Sequence, residues 1–515
     1  MISRRGRLRI LFTRIWDRAW LPLTVLLGCA VYVYFLSAGG VQRWPVYGWY
    51  HDLLADGFRS GHLYIPRAPD PELIAAKNPY DPINSNHWLF DASYFKGKYY
   101  VYWGPFPALL QAAAKTVLGI KRSIGDQYVA LFFLCVGNLF GALLVERLAR
   151  RLFSKVPRLL IILGAFALFF ANPTLHAVTT AGTYHTAIVS AQTCLLGGLV
   201  AAFDSVWYAG TPKDRGWKLA FAGLGFGLAL ACRITVAPAV VVFCVATLLA
   251  NAWDAERRIR KLLRNALWLG APLLVISCAL LTYNKLRFES WLEFGTNVMT
   301  SGLPPLHFSL ESLAHLLPNL YSYMLRPAVL SCQFPYVFQV WSMSPAEAFP
   351  KGFTLPNDYM VMEPVVGWLL VVPLTWLIPF ALVLVPRPFS LRQRYARTYL
   401  WCLVVFSALA SATGLIALAI YGATMRYLND VTFGLVLVAL LGGYALRAHS
   451  IGRRLPRATT AVFGILACAS IVLGMLLGYQ GYNGQFHKVN PALDSVLVEK
   501  LSVCAGPATV PRYQP

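Results

Sequence analysis

The stretch KLAFAGLGFGLALACRITVAPAVVVFCVATLLANAW, residues 218–253, is apolar along almost its whole length and carries Arg233 at its middle. It is too long for one membrane-crossing helix. A cation at the centre of a bilayer is also expensive. Two spans joined by a tight turn at 233–238 resolve both problems. The GLGFG element at 223–227 then lies inside the first span, where small residues let helices approach closely.

The same reading extends to the whole chain. Apolar runs recur near 20–38, 127–146, 158–176, 184–207, 217–232, 235–253, 265–283, 365–386, 398–421, 429–446 and 458–479. A helix needs about 20 apolar residues to cross a hydrocarbon core of about 30 Å. Only 13% of the 515 residues are charged and 57% are hydrophobic. The expected fold is an all-α polytopic membrane protein with about 11 transmembrane helices. An outer-membrane barrel would instead show shorter alternating segments. The first run is long and lacks a clear small-residue cleavage site, so it is read as a retained span and not a signal peptide.

A net charge of +23 invites a nucleic-acid reading, and its distribution argues against one. With RRGRLR at 4–9 placed in the cytoplasm, the inner segments are 1–19, 146–158, 208–218, 254–264, 387–397 and 447–457. They hold 27 Lys and Arg against 5 Asp and Glu. The remainder of the chain is close to balanced. This asymmetry sets orientation and contact with anionic lipid. No nucleic-acid partner is expected.

Two long segments, 39–126 and 284–364, then fall outside. The chain reads as a single integral membrane module, 1–515, whose chemistry faces outward. The apolar piece FPALLQAAAKTVLGI (106–120) contains Lys115 and is short for a span. It is read as a helix at the outer interface, so the first outer loop carries juxtamembrane helices. Of ten cysteines, only Cys332 and Cys504 fall in outer segments, where a disulfide between them is possible.

The first outer segment opens with WYHDLLADGFRSGHLYI (49–65). Asp52 and Asp56 are one helical turn apart and share a face. Leu53, Leu54 and Phe58 form the opposing apolar face, and Asp56 can pair with Arg59. Farther on, Asp91 sits among Trp88, Phe90, Tyr94, Tyr99, Tyr100, Tyr102 and Trp103. Rings with polar tips suit a membrane interface, and they also suit stacking on a sugar. Cations gather at the outer ends of spans: Arg233, Lys285 and Arg287, Arg326, and Arg426. Each alone can snorkel to the interface. Together, facing an acidic segment, they can hold an anionic head group. No metal-ligand spacing stands out, so no cofactor is certain, and a divalent metal is possible but unsupported by ligand spacing.

The GHLY step at 61–64, GKYYVYWGPFP at 97–107 and YNKLRF at 283–288 resemble elements of the GT-C superfamily of polytopic glycosyltransferases. These include protein O-mannosyltransferases, aminoarabinose transferases of lipid A and lipopolysaccharide galacturonosyltransferases. The similarity runs over roughly residues 1–300, with RYLND (426–430) as a weak echo. The resemblance implies transfer of a sugar from a polyprenyl-phosphate donor to a lipid, glycan or protein hydroxyl. It places the site on the outer face of a bacterial inner membrane, with an acid of the first outer loop at its centre. The acidic dipeptide common in that loop is absent here, and His51-Asp52 stands near its place. The base is therefore Asp52, Asp56 or Asp91, with Asp52 favoured. Arg233, Arg287 and Arg426 are the expected phosphate ligands. His51, Trp88, Tyr99, Tyr100 and Trp103 are the expected sugar or acceptor contacts.

Phosphate is already a good leaving group, so such a reaction needs a base and cations more than a general acid. A glycosidase would need two carboxyls flanking the bond. The rival class is a non-catalytic lipid or sugar-lipid transporter or a scaffold. A transporter would place ionisable residues near mid-membrane.

Overall fold

The computed structural model describes residues 4–40, 44–153, 155–207, 210–253, 258–301, 310–339, 349–360, 363–386, 393–451, 455–482 and 484–504. A first long helix, α1 (Arg4–Leu36), leads into the segment expected to face outward. There the chain forms α2 (Tyr50–Arg59), α3 (Pro71–Ala75), a hairpin of β1 (Ser93–Phe95) and β2 (Lys98–Tyr100), and α4 (Phe106–Val117). The hairpin pairs Ser93 with Tyr100 and Phe95 with Lys98. Lys96 and Gly97 turn it with positive φ, a conformation glycine adopts without cost.

The bundle continues with α5 (Asp126–Arg147), α6 (Arg158–Phe170), α7 (Thr174–Val178), α8 (Thr183–Trp207), α9 (Pro212–Leu230), α10 (Ala237–Ala252) and α11 (Arg258–Phe288). A second irregular segment holds α12 (Leu316–Met324) and a short hairpin, β3 (Val329–Leu330) with β4 (Val337–Phe338). Then come α13 (Trp368–Val371), α14 (Ile378–Val383), α15 (Gln393–Ala419), α16 (Met425–Ser450), α17 (Pro456–Gln480), α18 (Gln485–Val489) and α19 (Pro491–Leu501).

Each expected apolar run falls wholly or partly on helix. Among the described residues, eight helices are long and apolar enough to cross a membrane: α1, α5, α8, α10, α11, α15, α16 and α17. Three other runs differ. Helix α6 has 13 residues. Helix α9 spends its first turns on Lys213, Asp214 and Arg215, capped by the Thr211 hydroxyl, which accepts from Asp214 N at 3.2 Å. The run 365–386 is not one helix. It breaks into α13, a 3-10 turn at Pro373–Leu377, and α14. Pro373 and Pro379 cannot donate to a helical ladder. The freed Leu374 N–H instead donates to Ser470 Oγ of α17 at 2.9 Å, as buried backbone in a membrane requires.

The turn at Arg233 forms as the sequence implies. Helix α9 ends at Leu230, a 3-10 turn spans Ile234–Val236, and α10 begins at Ala237. A Cβ on Gly225 would overlap the Gly198 backbone of α8, and one on Gly223 would overlap the Leu269 carbonyl of α11. The GLGFG element thus lets α9 lie closely between two neighbours. Helices α8 and α16 are the most enclosed, and α11 lies at the periphery.

One end of the bundle collects the loops. The α9–α10 turn, the C-terminus of α11 and the N-termini of α5, α8 and α16 meet the 44–125 segment there. At the opposite end, Arg147 and Arg151 both reach Asp204, at 2.8 and 2.7 Å. The 44–125 segment has its own small core, including Leu54, Ile65, Leu89, Tyr99, Val101 and Ala108. Cys332 and Cys504 form a disulfide with Cα atoms 5.6 Å apart, which ties the end of the chain beyond α19 to the β3–β4 hairpin.

Candidate functional site: an arginine-bearing cavity at the loop end of the bundle

Asp52 does not lie on an exposed stripe. It is completely buried, as is Lys115 of α4. One Asp52 oxygen accepts from Lys115 Nζ at 2.9 Å, Gln111 Nε2 at 2.8 Å and the Ile124 backbone at 3.1 Å. The other accepts from Ser123 Oγ at 2.5 Å. The face that Asp52 shares with Asp56 is closed over at Asp52, because α4 packs its polar side chains onto α2. Lys115 also reaches Asp56 at 2.8 Å, and Asp56 makes the expected pair with Arg59 at 3.3 Å. Helix α4 has 12 residues, about 18 Å at 1.5 Å per residue, too short to span.

Four of the five residues expected to touch a sugar are also spent on packing. His51 is fully buried, its Nε2 3.3 Å from the Thr183 carbonyl, and burial lowers its pKa to about 4. Trp88 Nε1 donates to the Pro79 carbonyl at 2.8 Å. Tyr99 Oη donates to the His87 carbonyl at 3.2 Å and accepts from Leu89 N at 3.1 Å. Tyr100 packs edge-on against Phe288. Alternation along β2 turns Tyr99 into the small core and Tyr100 to the opposite face against Phe288, and none of the four lines the cavity described next.

That cavity, of about 350 Å³, lies where the loop segment meets α8, α11, α15, α16 and the α9–α10 turn. It brings together Asp91, Trp103, Arg233, Arg287 and Arg426. The loop is pinned beside the α9–α10 turn at Gly104. Gly104 N donates to the Cys232 carbonyl at 2.9 Å, and a Cβ there would overlap the Ala231 carbonyl. This close approach accounts for glycine in the YWGPFP element.

Asp91 sits at φ +61°, unusual for a non-glycine residue, and its N–H donates to the Thr300 carbonyl at 3.1 Å. Its Oδ1 accepts from Tyr102 Oη at 2.8 Å. Among the described residues, Oδ2 has no hydrogen-bond donor. Burial raises the Asp91 pKa, against the opposing pull of the Tyr102 hydroxyl and Arg426. The rings of Tyr102 and Trp103 stack at 3.9 Å.

The three arginines are held in different company. Arg233 pairs with Asp430 and donates to Tyr184 Oη at 3.2 Å. Arg426 pairs with Glu363 at 2.7 Å. Burial raises the Glu363 pKa, and Arg426 opposes the rise. The Tyr184 ring lies beneath both guanidiniums, 5.3 Å from that of Arg233 and 4.4 Å from that of Arg426. Arg287 is only 3% exposed and donates to the Val101 carbonyl at 2.6 Å and Asn284 Oδ1 at 2.8 Å. It makes no ion pair with a described carboxylate, and its Nε has no hydrogen-bond partner.

No family model matches the chain, and no curated protein sequence matches it significantly. Several solved structures align with it along most of its length. The apo oligosaccharyltransferase of Archaeoglobus fulgidus is 13% identical, with a TM-score of 0.47 over 96% of this chain and 62% of that one. ArnT from Cupriavidus metallidurans bound to undecaprenyl phosphate is 12% identical, with a TM-score of 0.46 over 95% of this chain and 81% of that one. The archaeal oligosaccharyltransferase AglB with an inhibitory peptide and a dolichol-phosphate is 15% identical at 0.44. This chain spans 62% of the length of the oligosaccharyltransferase. Likenesses of this degree assign no role to any residue here.

Among the described residues, no group of three or more His, Cys, Asp or Glu side chains could hold a metal ion. Sequence reasoning overlooked Asp430, Glu363, Tyr184 and Tyr427. Asp430 and Tyr427 stand in the RYLND element already singled out, next to Arg426. Tyr184 and Glu363 carry no local signal, because only packing against α16 brings Tyr184 to the cavity and Glu363 to Arg426 behind its wall.

Proposed function

We propose that the protein is a membrane glycosyltransferase that moves a sugar from a polyprenyl-phosphate donor to a lipid, glycan or protein hydroxyl. One observation carries this reading. A carboxylate with an open oxygen, Asp91, shares an aromatic-walled cavity with Arg287, an arginine that no described carboxylate neutralises. Asp91 takes the proton of the acceptor hydroxyl as that oxygen attacks the anomeric carbon. The bond from that carbon to the phosphate oxygen breaks, and the lipid phosphate leaves with the electron pair. Arg287 holds the departing phosphate, with Arg233 and Arg426 adding charge-assisted donors. Asp52 and Asp56 brace α2 against α4.

The reading includes a topology. The N-terminus is cytoplasmic, and the cavity opens on the periplasmic side of a bacterial inner membrane. Segment 39–126 is the catalytic loop and 284–364 the second outer segment. The Arg147–Arg151 end of the bundle supports this orientation, and so does the disulfide at the opposite end.

The test is release of polyprenyl phosphate from polyprenyl-phosphate sugar by the purified protein, in the presence of membrane lipid and lipopolysaccharide acceptors. Release that depends on acceptor and is lost in Asp91→Asn supports the reading. Binding of donor lipid without any sugar transfer points to a transporter instead.

A further inference from the structure

We propose that the donor carries a single uncharged sugar, and that amino sugars and uronic acids are disfavoured by the charge balance of the cavity; this deepens the glycosyltransferase reading and rests on it. Among the described residues, the cavity wall bears three arginines and two carboxylates, Asp91 and Asp430. Asp430 is taken by Arg233, and Glu363, behind the wall, is taken by Arg426. What remains is one cation without a carboxylate, Arg287, and one carboxylate without a cation in contact, Asp91. A lipid-phosphate sugar is a phosphodiester with one negative charge. Arg287 matches that charge, and Asp91 is needed as the base. No carboxylate is left for an ammonium on the sugar, and with Arg233 and Arg426 each neutralised by its own carboxylate, no uncompensated cation is left for a sugar carboxylate. An unmatched charge in an enclosed site is disfavoured far more than an unmatched hydroxyl.

The polar groups that lack partners point the same way. Trp103 is 6% exposed, and its indole Nε1 has no hydrogen-bond partner. Thr235 Oγ1, also on the wall, is buried and without one. Both are neutral, so neither supplies a charge to balance one on a sugar. The faces of Tyr102, Trp103 and Tyr184 offer apolar surface for the C–H face of a ring. A volume of about 350 Å³ is near the low end of the roughly 300–1,000 Å³ of small-molecule sites, which fits one sugar and not a chain of them.

The experiment measures binding of three donors to the full-length protein in lipid nanodiscs. All share one polyprenyl phosphate, and they carry glucose, glucosamine or glucuronic acid. The expected result is that the glucose donor binds about tenfold or more tighter than either charged one. Equal affinities, or tighter binding of a charged donor, overturn the inference and leave the glycosyltransferase reading standing. Binding of none of the three overturns both. Asp430→Asn should free Arg233 and raise the affinity for the glucuronic acid donor, relative to glucose, by about tenfold. Glu363→Gln does the same through Arg426 and serves if the first variant fails to fold. An unchanged ratio in a folded variant overturns the charge account.

Discussion

Asp52 and Asp91 lie in the same loop segment and are both enclosed by aromatic and apolar residues, yet their surroundings are opposite. Asp52 has four donors on its two oxygens, including the ammonium of a fully buried lysine. Asp91 has one hydroxyl donor on one oxygen, and it faces a cavity. A carboxylate whose two oxygens both hold donors, one of them a buried ammonium, accepts a proton only by loosening the contacts that hold it. One with a vacant oxygen beside cations can accept one there without loosening any. The number of bonds already made therefore separates a brace from a base, where sequence spacing could not.

The largest expected effect falls on the brace. Asp52→Asn leaves Lys115 buried with only the partly exposed Asp56 as a charged partner. Removing one member of a buried pair costs about 3–5 kcal/mol, and Asp56 holds the loss near the lower figure. Thermal unfolding in detergent should show a marked drop, with activity falling in proportion to folded protein.

Asp91→Asn should do the reverse. Unfolding should barely move, since the side chain makes one hydrogen bond. Turnover should fall about 100-fold or more, the scale of a positioned base. If instead Asp52→Asn abolished turnover at full stability, the contrast between the two would collapse.

A smaller change sharpens the same contrast. Tyr102→Phe removes the one donor to Asp91, which favours its ionised form. The Asp91 pKa, already raised by burial, should rise further. The base must be ionised, so the acid limb of the pH–rate profile should move to higher pH. A turnover loss of about tenfold at neutral pH should recover as the pH is raised. An unshifted limb would separate Asp91 from the proton transfer.

The smallest effect concerns the outer rim of the loop. His87 sits 2.9 Å from both Asp70 and Glu72, and its hydrogen bond to Asp70 raises its pKa. A raised histidine contributes stability that is fully present below its unfolded value near 6.5. That stability is lost as the pH rises through the folded value. Hydrogen exchange of residues 70–88 should quicken over that upper window, and Asp70→Asn should flatten the response.

Much of this protein was legible in the order of its residues. Eight of the eleven apolar runs lie on helices long and apolar enough to cross a membrane, and the long run around Arg233 folded back on itself where a charge and Pro238 demanded it. Those outcomes depend on hydropathy and on local backbone chemistry, which a sequence carries directly. The prolines of 365–386 were equally visible, but the break they cause was not, because a proline-bearing span persists or breaks according to whether a neighbour such as Ser470 can take up the freed N–H. The three arginines, Asp91 and Trp103 were each identifiable as candidates from residue type and depth. Their convergence on one cavity was not.

Residue type and position along the chain thus determined the membrane class, most of the long apolar helices, and a short roster of polar groups. The tertiary structure alone decided that Lys115 folds over α2 to consume Asp52, that Asp430 and Glu363 neutralise two of three arginines, and that Arg287 is left without a carboxylate. The physical reason is that a charged group's role is set by how many of its hydrogen-bonding and ionic partners are already in place. Those partners come from segments far apart in sequence, which only packing brings within reach.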